Sequence, residues 1–155
     1  MRRWALIGII LLTFIAINSN NNFQAQENSL PSVQQRIQAL ETNLNKSNKV
    51  FKVLGENTVA GNSKIVQKIT SKDSFEILAM PMLETSDLAN YSQDFVGKLF
   101  ADTGLMLSEV KSPTGIRIGT KIPDREEAKV HSFEFDNPNS LPVKVRFYFV
   151  QDKLN

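Results

Sequence analysis

The first hydrophobic block runs from residue 4 to residue 17, Trp-Ala-Leu-Ile-Gly-Ile-Ile-Leu-Leu-Thr-Phe-Ile-Ala-Ile, with one hydroxyl and no charge. Arg2 and Arg3 precede it and the polar run Asn18-Ser-Asn-Asn-Asn22 follows it, which is the layout of an export signal. As a helix this block extends roughly 21 Å, short of a hydrocarbon core of about 30 Å. That length suits a cleaved signal ending near Ala25. Phe23, two positions before Ala25, is large for a cleavage site, so a retained anchor stands beside it as the alternative. Residues 1–25 are therefore read as signal peptide or signal anchor, and residues 26–29 as a polar linker.

From Leu30 the period changes. Val33, Ile37, Leu40, Leu44, Ser47, Phe51 and Leu54 are spaced 4-3-4-3-4-3, the seam of three heptads. The spacing predicts an amphipathic, coiled-coil-like helix over 30–54. Ser29 or Ser32 would cap it, Pro31 would sit in its first turn and Gly55 would end it. Two readings follow. Val33, Ile37, Leu40, Leu44, Phe51 and Leu54 form a self-association seam giving a homodimer, or the helix lies on its own domain.

Residues 64–155 are read as an α+β domain, an antiparallel sheet with a helix packed on one face. Lys64–Thr70 and Phe75–Met82 alternate as strands around Ser71-Lys-Asp-Ser74, a hairpin signal. Leu88, Tyr91, Phe95, Leu99 and Phe100 predict the buried stripe of a helix over 86–103, begun at Thr85 or Ser86 and ended by Gly104. Further strands are expected at Leu105–Val110, Gly115–Lys121, Lys129–Asp136 and Pro142–Gln151. His131, Phe133 and Phe135 share one face, and Val143, Val145, Phe147 and Phe149 the facing one. A hairpin centred on Asn139 would set Glu134 opposite Lys144 and Ser132 opposite Arg146.

Composition narrows the class. A chain of 155 residues is long enough for one domain with a real core, and it contains no cysteine. A disulfide-free exported domain must be held by that core, which fits a bacterial envelope protein better than a small animal secreted one. The net charge of +2 comes from Arg2 and Arg3, because the remaining 16 basic side chains match 16 acidic ones. A mature domain of zero charge has no long-range attraction for phosphate, so nucleic acid is not an expected partner.

No catalytic constellation emerges. His131 is the single histidine and lies on an apolar strand face, the setting of a structural residue. Asp124, Glu126 and Glu127 cluster with Arg125 but lack cation-loop spacing. Gly115-Ile-Arg-Ile-Gly119 has the wrong spacing for a phosphate loop and reads as a twisted strand. Asn45-Lys-Ser47 and Asn90-Tyr-Ser92 match a short glycan-acceptor pattern. Met80, Met82 and Met106 with the phenylalanines of 86–103 would line either a core or a lipid cavity. No cofactor and no metal are expected.

Residues 64–151 resemble the PsbP-like extrinsic proteins of photosystem II and their DcrB-like bacterial relatives. The likeness rests on Phe75-Glu-Ile-Leu-Ala-Met-Pro-Met82, Ser86-Asp-Leu-Ala-Asn-Tyr91, and the late pair Glu127–Phe135 and Val143–Val150. It implies an α/β/α sandwich with a non-enzymatic, exported accessory role. The order of anchor, short helix and small domain is also similar to bitopic accessory subunits of secretion and pilus machines. The function expected is thus a non-enzymatic envelope protein, periplasmic or extracellular, that works as an accessory or scaffold subunit through protein partners. If the signal is retained, it would touch the membrane only through residues 4–17. The alternatives are a periplasmic carrier holding an apolar small molecule between helix and sheet, and a bitopic machine subunit.

Overall fold

The computed structural model describes residues 31–122 and 127–154. Helix α1 covers Val33–Lys46, and Ser32 caps it in a reciprocal box with Gln35. Asn48, at φ 54°, turns the chain into the first strand. The strands are β1 (Lys49–Val59), β2 (Ser63–Ser71), β3 (Phe75–Pro81), β4 (Phe95–Phe100), β5 (Met106–Ser112), β6 (Ile116–Thr120), β7 (Lys129–Asn137) and β8 (Val143–Asp152), with a short 3₁₀ helix at Thr85–Asn90 before β4.

These strands form two antiparallel sheets, ordered β1-β8-β3-β6 and β2-β7-β4-β5. The chain crosses from one sheet to the other at almost every connection, and β4 and β5 alone pair as consecutive strands among the described residues. This order is that of a double-sheet jelly roll. The inward faces supply the core. Ile77, Phe95, Leu99, Phe133, Phe135, Val145 and Phe147 are all fully buried. Phe147 of the first sheet meets Phe133 and Phe135 of the second edge-on, at centroid separations of 6.2 and 5.9 Å, which ties the layers together.

The α+β expectation is overturned. No helix occupies 86–103; Thr85–Asn90 is a single 3₁₀ segment and Phe95–Phe100 is a strand with strictly alternating burial. Phe95 and Leu99 are four apart, a spacing that shares a face on a helix and equally on a strand. Gly97 between them decides the matter physically. A Cβ there would lie 2.3 Å from Ile116 Cγ2, so β4 approaches β6 closely across the sandwich, and a helix interior would lose stability to that glycine. The α/β/α layering implied by resemblance is likewise not the layering this chain adopts.

The helix expected over 30–54 ends at Lys46. Phe51 and Leu54 belong to β1, where a bulge between Val53 and Gly55 alters the register. The sandwich accordingly begins at Lys49, ahead of the expected domain start at 64. Neither predicted hairpin forms. β2 pairs with β7 and β3 with β6 and β8, while β7 and β8 lie in different sheets. The face assignments of β7 and β8 stand, but those faces meet across the core instead of lying side by side.

Candidate functional site

The outer faces of the two sheets differ. On the first, outward Leu78, Tyr148 and Val150 form a small cluster with Leu44, and Leu40 and Phe51 pack against it. Helix α1 thus lies on this face. Glu41 of α1 receives hydrogen bonds from the Tyr148 hydroxyl at 3.0 Å and from Arg146 Nη1 at 3.3 Å. Arg146 Nε also donates to Glu56 on β1 at 2.8 Å, and Lys144 Nζ lies 2.8 Å from the other oxygen of that carboxylate. Those bonds from Lys144 and Arg146 hold the Glu56 carboxyl below the usual carboxylate range. Burial pushes the Tyr148 phenol up to about 12, reinforced by its bond to Glu41.

The N-terminal end of α1 is fastened separately. Glu84 accepts from the Val33 backbone N–H at 3.3 Å, and Arg36 Nη2 donates to the Leu83 carbonyl. Burial pulls the Arg36 guanidinium down from its ordinary value, and its Nε is buried without a partner among the described residues.

Nothing described covers the outer face of the second sheet, which reads in rows fixed by the register. Val66, Glu134, Lys98 and Glu109 cross it in one row, and Lys64, Asp136, Val96 and Lys111 in the next. A third row runs Lys68, Ser132, Phe100 and Met106. Lys64 meets Glu134 at 2.8 Å, and Lys98 meets Asp136 at 3.3 Å and Glu134 at 3.8 Å. The bond to Glu134 raises the Lys64 ammonium above its ordinary value. Apolar side chains are interspersed: Val66 is 50% exposed, and Leu105, Met106 and Leu107 are all well exposed at the start of β5.

One end of the sandwich is clasped by asparagines. Asn137 Nδ2 lies within hydrogen-bond reach of the Val59, Ala60 and Leu141 carbonyls, and its Oδ1 accepts from Asn139. Asn139 exchanges bonds with the backbone of Gln93 in both directions. This network joins the β1–β2 turn, the β7–β8 loop and the entry to β4, and every polar atom named in it is engaged within the chain.

The candidate residues read from sequence separate widely. Of the expected seam, Val33, Ile37 and Leu44 are buried within the chain, Leu40 and Phe51 flank the cluster beneath α1, and Leu54 joins the main core. His131 is 6% exposed, edge-on to Phe75 at 5.2 Å, and its Nδ1 has no partner among the described residues. Residues 4–17 and the cluster Asp124, Arg125, Glu126 lie outside the described residues, and Glu127 is exposed. Asn45 and Asn90 are exposed, on the last turn of α1 and at the end of the 3₁₀ helix. Met80 stands on the outward side of β3 and Met106 on β5 of the other sheet, so they do not converge. Among the described residues no group of three or more His, Asp or Glu side chains is placed to hold a metal ion. Among them, too, no helix is long and apolar enough to cross a membrane.

The feature that sequence reasoning missed is the free edge and face of the second sheet. The signal was present in Leu105-Met106-Leu107, three consecutive apolar residues that no single strand face accommodates.

No family model matches the chain, and no curated protein matches it. Among solved structures it is similar to the crystal structure of the Yersinia pseudotuberculosis-derived mitogen, at 8% identity and a TM-score of 0.45. The match covers 70% of this chain and 89% of that one, a likeness that carries nothing about function.

Proposed function

We propose that the protein is a non-enzymatic accessory module, exported across the cytoplasmic membrane by its first 25 residues, that works through protein contacts on the outer face of the second sheet. The observation that carries this reading is the asymmetry of the sandwich. One face carries α1, with Arg146 and Tyr148 bonded to its Glu41, while the other presents Val66, Val130 and Met106, each at least 43% exposed, among paired charges. Lysines and carboxylates alternate across that face and neutralise one another, so it offers apolar area without a one-sign field. That mixture suits a protein partner and does not suit a phosphate backbone.

The interior argues against the carrier alternative. Phe95, Phe133, Phe135 and Phe147 occupy the space between the sheets in mutual ring contact, and Leu44, Leu78 and Tyr148 fill the space under α1.

The test is made in cells. A periplasm-dependent phosphatase fused after Asn155 is expected to be active. A photo-crosslinking side chain placed at Val66 or Val130 is expected to yield a discrete protein adduct that the same group at exposed Thr42 of α1 does not yield. An inactive fusion removes the export part. Equal adducts at all three positions, or none, remove the docking face.

A further inference from the structure

Two four-stranded sheets have four edges: β1 and β6 on the first, β2 and β5 on the second. An unpaired edge presents a row of backbone donors and acceptors, and soluble proteins blunt such rows with bulges, short strands or lysines. All four carry one of these devices, and on three of them it opposes two-fold pairing. β1 is interrupted by the bulge between Val53 and Gly55. β6 is five residues long and contains Gly119. β2 carries Lys64 and Lys68 on its outward side, and a two-fold pairing centred on Val66 would set these like charges opposite each other.

β5 is different. Its sequence Ser108-Glu109-Val110-Lys111-Ser112 is a charge palindrome about Val110. In antiparallel two-fold pairing centred on Val110, positions that sum to a constant face one another and stay on the same side of the sheet. Val110, partly buried against the core, then meets Val110 of a second copy. Glu109 meets Lys111 of the second copy on the outward side, and Lys111 meets its Glu109, so two opposite-charge pairs form by symmetry. Ser108 meets Ser112 on the inward side. The register works whether the Val110 backbone groups point toward β4 or away from it, since an antiparallel two-fold axis can pass through either kind of residue pair.

The ends of this ladder are also defined. Pro113 has no N–H to donate, so pairing stops after Ser112. The residue facing Pro113 of the second copy is Leu107, 42% exposed and left out of register with β4 by the bulge at Leu99/Phe100. An apolar contact therefore closes each end.

The charge rows of the open face continue through the junction. Glu134, Lys98 and Glu109 of one copy run on to Lys111, Val96 and Asp136 of the other, so the alternation of sign is kept across it.

We propose that this chain forms a two-fold homodimer by edge pairing of β5 in this register, making one continuous sheet of eight strands from two copies of β2-β7-β4-β5. The seam lies on β5 and not on α1, whose apolar residues are engaged with the chain's own first sheet. The inference is independent of export and of the docking partner, and its failure would leave both readings where they stand.

The test uses the full chain, in one mild detergent throughout, by sedimentation velocity. The unmodified chain is expected to sediment as a dimer at roughly 100 μM. Glu109→Lys and Lys111→Glu each place like charges opposite one another, and each is expected to weaken the dimer about tenfold or more. Together in one chain they restore the complementarity and are expected to return dissociation to within about threefold of the starting value. Mixed one to one, the two single variants are expected to dimerise with each other while neither does alone. The chain has no native cysteine, so Val110→Cys supplies a second readout. Mild oxidation is expected to link it to its counterpart, while Glu109→Cys, offset from its counterpart by two positions, is not linked. A monomeric unmodified chain, single variants that dimerise as it does, or equal linkage of both cysteine variants would overturn the proposal.

Discussion

His131 shows what one residue's pattern gives and what it withholds. Even spacing with Phe133 and Phe135 placed it on the apolar face of a strand, and it is there, buried against Phe75. The sequence could not show that its Nδ1 would have no partner among the described residues, because what surrounds the ring comes largely from elements distant along the chain. An unpartnered buried nitrogen costs stability that an apolar ring of similar size would not. His131→Phe is therefore expected to keep or raise stability, by up to about 1 kcal/mol in urea denaturation, whereas His131→Ala loses about 2 kcal/mol or more through the cavity it leaves. A clear loss in His131→Phe would mean that the ring makes a polar contact this reading lacks. Asn137 and Asn139 teach the same lesson. They read as turn residues, yet their side chains fasten three loops that lie far apart in sequence.

At the scale of elements, period was informative and partner choice was not. Strands β6, β7 and β8 fall close to where alternation put them, because a face that is half buried enforces a period of two. β4 resembles a helix in sequence because a four-residue interval is common to both periods, and the pattern of α1 runs past Lys46 because Phe51 and Leu54 of β1 continue its heptad by coincidence. What holds α1 in place was not legible, since Glu41 is separated from Arg146 and Tyr148 by about a hundred residues. This clasp has a pH signature. The folded state raises the Tyr148 phenol from 10.0 to about 12, so the folded chain holds that proton more tightly than the unfolded one. The contribution is complete below pH 10 and is lost as pH rises through 10 toward 12, amounting to about 2 kcal/mol once partial solvation of the clasp is allowed for. Chemical denaturation of the unmodified chain between pH 9 and 12 is expected to show this extra alkaline loss, and Tyr148→Phe is expected to lack it. Parallel curves for the two proteins would mean that the hydroxyl titrates freely and does not hold the helix.

For the whole molecule, the missing information was topology. Here consecutive strands other than β4 and β5 lie in opposite sheets, and the inward faces of β7 and β8 carry the same alternation whether those strands pair or face each other. Pairings such as Lys49 with Asp152 join the first and last strands of the sandwich, so no local signal announces them. The same architecture predicts how the molecule comes apart. Each sheet is completed by strands from both halves of the sequence, and Phe147 of the first sheet lies edge-on to Phe133 and Phe135 of the second. Neither sheet has an apolar face that water would tolerate without the other, so the two should open as a single unit. Phe147→Ala is expected to lower global stability by about 3–5 kcal/mol. In native-state amide exchange it should reduce protection in β7 and β4 by the same amount as in β8 and β3, although the substituted residue belongs to one sheet alone. If the second sheet kept its original protection while the first lost it, the sheets would be separate folding units. The ring contacts across the core would then be neighbours in space without being a shared source of stability.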